Sequence, residues 1–429
     1  MKTILFPEKK SWDTLCRRPG IDKTDLEDVV REIINRVKSE MDNAIYYFSE
    51  KFDGFLSGNL KISSTEIRES TGQVPEELKT AINIAKTNIE KFHSAQLPAE
   101  PVIETFKGVK CWRKSVAIEK VGLYIPGGSA PLFSTVLMLG IPAKLARCSE
   151  IVICTPPGMD GKVSPLILYT AQLLGITEIY KIGGAQAIAA MAYGTESVPK
   201  VYKIFGPGNQ YVTKAKEVVQ QDGISIDMPA GPSEVLIIAD ETANSEFIAA
   251  DLLSQAEHGA DSQVTMLTDN QGLIEKVKAD VEKQLQLLAR KEIAFKALEN
   301  SKLILLSSLD DCIEFSNIYA PEHLIINASD TNALANKVKN AGSVFLGNFS
   351  CESAGDYATG TNHTLPTNGF ARSYSGVSTE SFIKKISFQE VSEEGIKNLG
   401  PAIELMAEAE FLKGHKNAVS VRLKSLQDG

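Results

Sequence analysis

Apolar residues recur at helical spacing through about the first 95 residues of the chain. Positions three and four residues apart lie on one face of a helix, so two amphipathic helices are predicted in this segment. The apolar positions are Leu26, Val29, Val30, Ile33, Ile34 and Val37 and, further along, Leu78, Ala81, Ile82, Ala85 and Ile89. His93 falls on the face opposite the second stripe and is therefore predicted to lie at the surface.

The pattern changes near residues 98–101, after which short β-rich runs alternate with helix-forming segments. The runs that predict buried strands are 123–125, 151–154, 178–180, 203–205, 235–239, 264–268, 303–306, 324–326 and 343–346. Gly or Pro follows closely after each of the first runs, and a helical segment comes next. This alternation is typical of parallel sheets, so the fold class predicted is α/β.

Polar loop residues dominate 347–376, and about the last 50 residues return to a helical pattern. An apolar stripe in this C-terminal segment has little of its own sequence to pack against. It consists of Ala402, Leu405, Met406, Ala409 and Leu412. Such a stripe packs either on the body of its own chain or on another subunit.

Composition and charge narrow the class of protein. The 429 residues include 45 basic and 54 acidic side chains, with a net charge of −9, and no block of Lys or Arg stands out. Nucleic acid and anionic membranes are therefore not expected as partners. The most apolar stretch, 132–146, is interrupted by polar residues and is shorter than the about 20 residues of a spanning helix. Six scattered cysteines without a C-x-x-C pair favour reduced thiols and a cytoplasmic protein.

Glycine-rich turns follow several of the predicted strands. They read Gly127-Gly128-Ser129, Gly183-Gly184-Ala185-Gln186 and Gly206-Pro207-Gly208-Asn209. At the carboxyl ends of parallel strands, such turns can hold a pyrophosphate against a helix amino terminus. No turn completes the G-x-G-x-x-G fingerprint, so the turns alone also fit a purely conformational role for glycine.

Two further segments carry candidate chemistry. Gln255 and His258 share one face of a helix that Gly259 stops, where they could bind a metal or where the histidine could interact only with the helix dipole. Glu322 and His323 stand side by side at the entrance to a predicted strand. They could act as an acid and a base, or they could be a solvent-facing acid beside a half-buried histidine.

The remaining candidates lie in polar segments near the C-terminus. Asp356 and His363 belong to a loop rich in Gly and Thr, a composition common in loops that carry sites. Glu410 and His415 lie at a helix end in the C-terminal segment, where the residues alone give no reason to single them out. Most histidines of the chain fall in these polar segments, which favours one site assembled from distant parts of the sequence.

Taken together, these segments closely resemble the histidinol dehydrogenase family. The matching segments are VGLYIPGGSAPLFSTVLML (121–139), GGAQAIAA (183–190), FGPGN (205–209), DMPAGPSEVLIIAD (227–240), DLLSQAEHG (251–259), APEHL (320–324), AGSVFLG (341–347), ESAGDYATGTNHTLPT (352–367) and HKNAV (415–419). They occur in the order and spacing of that family from Val121 to the end, whereas the residues before Val121 match more loosely. Several long segments in order are far more specific than any single motif.

The resemblance implies a zinc enzyme that oxidises L-histidinol to L-histidine with two NAD, the last step of histidine biosynthesis. The implied zinc ligands are Gln255, His258, Asp356 and His415, and the implied catalytic pair is Glu322 and His323. Implied substrate contacts are Ser233, His363 and Glu410, together with His323 and the zinc ligands. Implied NAD contacts are Tyr124, Gln186 and Asn209. The residue type matches the family at every one of these positions.

The family fold implies two related, incomplete Rossmann-like domains with parallel sheets, small helical terminal elements and an intertwined homodimer. The expected division is an N-terminal extension (1–25), a discontinuous first α/β domain (26–120 and 236–378), a second Rossmann-like domain (121–235) and a helical dimerisation arm (379–429). The arm would carry Glu410 and His415 into the active site of the partner subunit, which accounts for its unpartnered apolar stripe.

Other functions fit parts of the same evidence. A related zinc- and NAD-dependent dehydrogenase could act on another small polar alcohol. A zinc hydrolase would use Glu322 without NAD, and a metal-binding protein would leave both substrate and NAD unchanged. An aldehyde dehydrogenase is less well supported, because no cysteine lies in an obviously activating setting.

Overall fold

The computed structural model describes residues 1–18, 24–54, 58–127 and 131–427; Gly128 and Ser129 of the first glycine-rich turn lie outside these ranges. The strands are β1 (Lys2–Leu5), β2 (Ile103–Phe106), β3 (Val109–Ala117), β4 (Lys120–Tyr124), β5 (Glu150–Thr155), β6 (Glu178–Lys181), β7 (Lys203–Phe205), β8 (Ser225–Ile226), β9 (Glu234–Ala239), β10 (Gln263–Thr268), β11 (Lys302–Leu305), β12 (His323–Asn327), β13 (Ser343–Leu346) and β14 (Ile383–Val391).

The helices alternate with these strands through most of the chain. They are α1 (Trp12–Leu15), α2 (Thr24–Glu40), α3 (Asp42–Asp53), α4 (Ser64–Thr71), α5 (Glu76–Ser94), α6 (Phe133–Leu145), α7 (Pro165–Leu173), α8 (Gly184–Tyr193), α9 (Gln210–Gln221), α10 (Ser245–Ala256), α11 (Gln271–Leu285), α12 (Lys291–Glu299), α13 (Leu309–Tyr319), α14 (Thr331–Ala335), α15 (Glu352–Tyr357), α16 (Glu393–Ala409) and α17 (Lys413–Ser425).

Two parallel sheets form the centre of the molecule. The 6-stranded sheet has the order β1-β11-β10-β9-β12-β13, and the 5-stranded sheet has the order β6-β5-β4-β7-β8. When β4–β8 and β9–β13 are each counted along the chain, both sets have the order 3-2-1-4-5, which is the Rossmann order 3-2-1-4-5-6 without its sixth strand. The predicted α/β class and the predicted relation between the two units are confirmed, and every strand predicted from the sequence is present.

The pairing of β9 with β12 determines the geometry of one sheet edge. His323 pairs with Val235 at the amino ends of these parallel strands. Every residue of both strands is buried, because helices cover both faces of the sheet and exclude water from the apolar side chains. Residues just before and at the start of β9 and β12 therefore meet at the amino edge of the sheet.

The amphipathic helices of the first half pack against the 5-stranded sheet. Ile33 and Ile34 of α2 share a buried apolar cluster with Ile188 of α8, and Ile89 of α5 shares another with Leu137 of α6. This packing differs from the predicted division, which grouped residues 26–120 with the 6-stranded sheet. Periodicity identifies the apolar face of a helix but carries no information about which sheet that face covers.

The N-terminal segment is part of the 6-stranded sheet, whereas an extension was predicted at 1–25. Strand β1 pairs in parallel with β11 along Lys2–Leu5. Trp12 is buried, and its ring lies 5.5 Å from that of Phe315 on α13. The segment thus completes the edge of the sheet and part of its apolar core.

The segment 379–429 was predicted to be a helical arm, but its first part belongs to a third, antiparallel sheet. Strand β14 pairs with β3 over its whole length, and β3 also pairs with β2. The apolar residues Ile383, Ile386, Phe388 and Val391 are separated by two or three positions, so their spacing fits a helix almost as well as a strand. The helical part of the arm begins only at α16.

His93 is buried, although its position on α5 predicted exposure. Its ring Nδ1 lies 3.0 Å from Gln96 Oε1, and its carbonyl accepts a 2.8 Å hydrogen bond from Thr379 Oγ1. Residues near Thr379 therefore cover this face of α5. A contact between positions so far apart in sequence leaves no trace in the local hydrophobic pattern.

The apolar stripe of the arm remains uncovered in the single chain. Helices α16 and α17 pack against each other, yet Leu405 is 73% exposed, Met406 67% and Phe411 90%. Large apolar side chains left exposed along one segment are typical of an interaction surface. Within the described ranges, no helix has both the length and the apolar composition needed to cross a membrane. All cysteines are free thiols.

Candidate active site

A cleft of about 1500 Å³ separates opposite edges of the two parallel sheets. One wall comes from the carboxyl edge of the 5-stranded sheet, including Pro207 and Asn209, and the other from the amino edge of the 6-stranded sheet. Several residues predicted to act in the site line this cleft: Asn209, Ser233, Gln255, His258, Glu322, His323, Asp356 and His363. Segments distant in sequence therefore do converge on one cavity.

Glu322 and His323 are both fixed by the backbone of Glu234, the first residue of β9. The N–H of Glu234 donates to Glu322 Oε2 at 2.8 Å, and the carbonyl of Glu234 lies 3.2 Å from His323 Nδ1. Both catalytic candidates are buried, at 7% and 3% exposure. The alternative of a solvent-facing acid at position 322 therefore does not fit, because this side chain is buried.

Carboxylates surround the imidazole of His323. Its Nε2 lies 3.4 Å from Asp356 Oδ1, and its Nδ1 lies 3.6 Å from Glu322 Oε2. Burial lowers the pKa of His323, but Glu322, Glu352 and Asp356 outweigh burial and raise it to about 10. Burial raises the pKa of Glu322 to about 8 despite the attraction of His323. Such a concentration of perturbed groups in a cleft is typical of a catalytic site.

A set of metal donors lies beside this pair. Ligand atoms of His258, Glu352 and Asp356 lie within 4.8 Å of one another. Asp356 Oδ1 is buried and has no hydrogen-bond partner among the described residues. Burial lowers the pKa of His258 and so favours the neutral imidazole, which is the form that binds metals. Imidazole and carboxylate donors suit zinc, so these residues fit the predicted ion.

Glu352 was not singled out from the sequence. It is buried on α15, one helical turn before Asp356, and burial raises its pKa well above the usual range. When the Gln255 amide is oriented to satisfy its neighbours, it donates to Glu352 Oε2 at 2.9 Å. The spacing of four residues between two acids on a short helix is the signal that could have identified Glu352.

His363 joins the metal-donor region to the other sheet. Its Nδ1 lies 3.0 Å from the carbonyl of Asp356, and its Nε2 lies 3.1 Å from Thr135 Oγ1 on α6. Burial lowers the pKa of His363. Ser233 immediately precedes β9 and also lines the cleft. Both residues therefore face the cleft, and their role as substrate contacts stays a prediction.

The predicted NAD residues gather at the carboxyl edge of the 5-stranded sheet. The hydroxyl of Tyr124, at the end of β4, accepts a 3.1 Å hydrogen bond from Gly184 N at the start of α8. Gln186 is buried, and neither amide atom has a partner within the described residues. Asn209 caps α9 by accepting from the N–H groups of Tyr211 and Val212 at 3.0 and 3.1 Å.

Gly206 enables the sharp turn between β7 and α9. Its φ is +127°, and an added Cβ would lie 2.1 Å from the carbonyl oxygen of Tyr124. The turn lies where the strand order of the sheet reverses, between β4 and β7, which is the usual ligand position in such sheets. Glycine here is therefore required by both backbone conformation and close approach.

Glu410 and His415 do not join the cleft of their own chain. Both are exposed near the junction of α16 and α17, and no cleft-lining residue among those described comes from the arm. The single chain thus assembles all predicted zinc ligands except His415.

Comparisons with known proteins identify the family. The family model described as histidinol dehydrogenase matches residues 16–423. The chain belongs to the histidinol dehydrogenase family. A histidinol dehydrogenase from Bacteroides thetaiotaomicron is 57% identical over 427 residues and one from Bacteroides fragilis is 58% identical over 427 residues, each covering 100% of both chains. The predicted enzyme class, an NAD-dependent oxidoreductase, is confirmed by this membership.

A solved structure extends the similarity to three dimensions. The crystal structure of histidinol dehydrogenase from Elizabethkingia anophelis is 58% identical and superposes with a TM-score of 0.97, covering 100% of this chain and 99% of that one. The family fold predicted from the sequence is thereby confirmed for the single chain.

Proposed function

We propose that this enzyme oxidises L-histidinol to L-histidine through L-histidinal, with two NAD and one zinc ion, as the last step of histidine biosynthesis. The observation that carries the proposal is the buried Glu322–His323 pair facing His258 and Asp356 in one cleft. Relatives named histidinol dehydrogenase align with the chain from end to end, which supports the same substrate. The second oxygen of the carboxylate product comes from water.

Gln255, His258 and Asp356 would hold the zinc ion together with the partner's His415. A bound zinc ion would orient the amine and imidazole of histidinol and would offset part of the carboxylate charge around His323. Glu352 contacts the Gln255 amide and would keep it aimed at the site. A second layer of this kind commonly orients ligands.

His323 is the base for the first oxidation. Its Nδ1 donates to the carbonyl of Glu234, so Nε2 can accept the proton of the substrate alcohol when the imidazole is neutral, a form that a cation held by His258 and Asp356 would favour. The C–H bond of the same carbon then breaks, and its electron pair leaves as a hydride for NAD. Acid–base catalysis of this type contributes roughly 10²- to 10⁴-fold.

Glu322 is the base for the hydration that follows. Its buried carboxylate removes a proton from water as the water oxygen bonds to the aldehyde carbon. The resulting hydrate loses a second hydride to a second NAD and becomes the carboxylate. A raised pKa makes the ionised form of Glu322 a stronger base than an exposed glutamate.

Tyr124, Gln186 and Asn209 would bind NAD at the carboxyl edge of the 5-stranded sheet. The unpartnered amide of Gln186 and the helix amino terminus beside it offer hydrogen bonds to a polar ligand. We retain the cytoplasm as the predicted location, since free thiols are typical of a reducing compartment.

The experiment that tests this function is the yield of NADH from limiting L-histidinol, with and without a chelator. Two NADH per histidinol, abolished by chelation and restored by zinc, would support the complete reaction. One NADH would remove the hydration role of Glu322. Absence of NADH with metal present would favour oxidation of another small alcohol instead.

We also propose a homodimer in which the arm of each chain completes the site of the other. The exposed stripe of α16 and the distance of Glu410 and His415 from their own cleft support this arrangement. Mixing inactive His415→Ala protein with inactive His258→Ala protein should restore part of the activity, because one site of a hybrid dimer is then intact. Lack of recovery, with subunit exchange verified, would contradict a shared site.

A further inference from the structure

Glu234 joins the two catalytic side chains through its backbone, and its own side chain is 1% exposed. Its N–H donates to Glu322 and its carbonyl accepts from His323. A shift or rotation of this one residue would therefore displace both groups at once. The contacts that hold Glu234 in place therefore also determine the geometry of Glu322 and His323.

Arg18 holds the carboxylate of Glu234 with both arms of its guanidinium. Arg18 Nε donates to Oε1 at 2.8 Å, and Nη2 donates to Oε2 at 2.9 Å. The backbone N–H of Asn368 also donates to Oε1, at 2.9 Å. A planar, two-point contact of this kind fixes the orientation of the carboxylate as well as its distance.

Arg18 also binds the segment that leads into Glu322. Its Nη2 donates to the carbonyl of Tyr319 at 2.8 Å, and its guanidinium lies over the Tyr319 ring at 3.7 Å. The hydroxyl of Tyr319 in turn donates to Gln263 Oε1 at 2.8 Å. Arg18 therefore links the start of β9 to the end of α13. These two segments lead to Glu234 and to Glu322, respectively.

Stability alone does not account for this arrangement. Removing an arginine and a carboxylate from water is unfavourable, and apolar residues of similar size often stabilise a core equally well. We propose that Arg18 and Glu234 form a positioning pair that holds Glu322 and His323 in their working geometry. The proposal rests on the proposed function, since it assigns the pair to the catalytic roles of those residues.

The consequence for catalysis is specific. Because Glu234 contacts both groups, loss of the pair should impair the oxidation of L-histidinol and that of L-histidinal together. Small misplacements of catalytic groups can cost about 10²-fold in rate. Binding of NAD involves the other sheet and should be largely unaffected, so the defect should fall on kcat and leave the KM for NAD unchanged.

The experiment compares zinc-loaded wild type, Arg18→Lys and the double variant Arg18→Met/Glu234→Gln. The double variant removes both charges, so no unpaired charge is left buried. We expect normal zinc content and a kcat reduced about 10- to 100-fold for both substrates. Arg18→Lys keeps the positive charge but cannot make the two-point contact with Glu234. Its kcat should therefore lie between those of wild type and the double variant. A kcat within about twofold of wild type in the double variant would overturn the proposal.

A spectroscopic readout separates this proposal from the proposed function. In protein labelled with ¹⁵N-histidine, the His323 signals can be assigned by their loss in His323→Asn, since the chain has 5 histidines. We expect wild type to show a protonated Nδ1 held by Glu234, and the double variant to show altered His323 shifts. Unchanged shifts would overturn the positioning role even if the wild type proved inactive on histidinol.

Trp12→Leu serves as the matched control. Trp12 belongs to the same N-terminal segment and packs against Phe315, and its indole N–H donates to Pro7. This variant should lower the midpoint of thermal unfolding while kcat stays normal. An equal loss of kcat in Trp12→Leu would mean that general loosening of the segment explains the effect, and would overturn the proposal.

Discussion

The two parallel sheets share one strand order but present opposite edges to the cleft. The 5-stranded sheet contributes its carboxyl edge through the turns that follow β4 and β7. The 6-stranded sheet contributes its amino edge, where Glu234 and His323 begin β9 and β12. Ligands usually bind at carboxyl edges in such folds, so the proposed catalytic half would depart from this rule, whereas the half proposed to bind NAD would follow it.

The polarity of the helices explains the use of each edge. Helices run antiparallel to the strands, so α9 directs its amino end at the cleft, whereas α10 directs its carboxyl end. Helix amino ends favour anions such as a pyrophosphate, and helix carboxyl ends favour cations. Gln255 and His258 lie at the carboxyl end of α10, beside the metal donors. The cleft therefore combines an anion-favouring wall with a cation-favouring wall.

The sharpest test of this division is His323→Asn, on the cation-favouring wall. Turnover should fall by about 10²-fold or more, because no base remains to accept the alcohol proton. Zinc content and the KM for NAD should change little, since the metal donors and the other wall are untouched. Steady-state kinetics with metal analysis checks both points. Turnover close to that of wild type would remove His323 from the mechanism.

Gly206→Ala tests the opposite wall. The new methyl group would meet the Tyr124 carbonyl at 2.1 Å, so the turn before Asn209 must move. We expect the KM for NAD to rise about 10-fold, with a smaller effect on the chemical steps, as expected when a binding contact is lost. Kinetics at varied NAD concentration measures this change.

Gly223→Ala provides the control for the backbone conformation alone. Gly223 also has a positive φ, +90°, but an added Cβ there would meet no atom within 4 Å. Its substitution should cost about 1–2 kcal/mol of stability and leave the KM for NAD unchanged. If both glycine variants raise the KM equally, the close approach at Gly206 is not what shapes the NAD wall.

The difference between buried and exposed strands explains how much of the fold could be predicted from the sequence. Buried parallel strands are apolar runs bounded by turn residues, so β4–β7 and β9–β13 could be found from local pattern. Strand β14 was missed because it is largely exposed and the spacing of its apolar residues is ambiguous. The resemblance to the family supplied the site residues that pattern left open.

The contacts behind the site were beyond sequence reasoning. Arg18 pairs with Glu234 across 216 positions; Glu234 lies in the matching segment 227–240, but nothing in that segment points to Arg18. His93 is buried by residues near Thr379, and Glu352 lies one helical turn before Asp356, beside the metal donors. The contacts of Arg18 and His93 depend on tertiary packing, which decides burial and partners without leaving a periodic signal, whereas Glu352 could have been found from its spacing to Asp356.

The smallest expected effect concerns the buried acids of the catalytic half. Asp251 on α10 is 7% exposed, and burial raises its pKa to about 7 although Glu352 N–H partly offsets this. Between about pH 4 and pH 7 the folded protein keeps a proton that the unfolded chain has lost, so stability falls as pH rises. Asp251→Asn should remove this loss and raise the thermal midpoint at pH 8 relative to wild type.

Asp222→Asn gives the matched comparison from the other half. Hydrogen bonds from Lys38 and Tyr193 lower the pKa of Asp222, so its contribution to stability is present above its unfolded pKa and is lost at lower pH. This variant should leave the midpoint at pH 8 unchanged or slightly lower. Thermal unfolding of zinc-free protein at pH 5 and pH 8 would measure both, with a shift of about 1 °C expected per kcal/mol for a chain of 429 residues. A lower midpoint for Asp251→Asn at pH 8 would mean that the amide lacks partners that the carboxylate has. Burial of acids would then not distinguish the catalytic half.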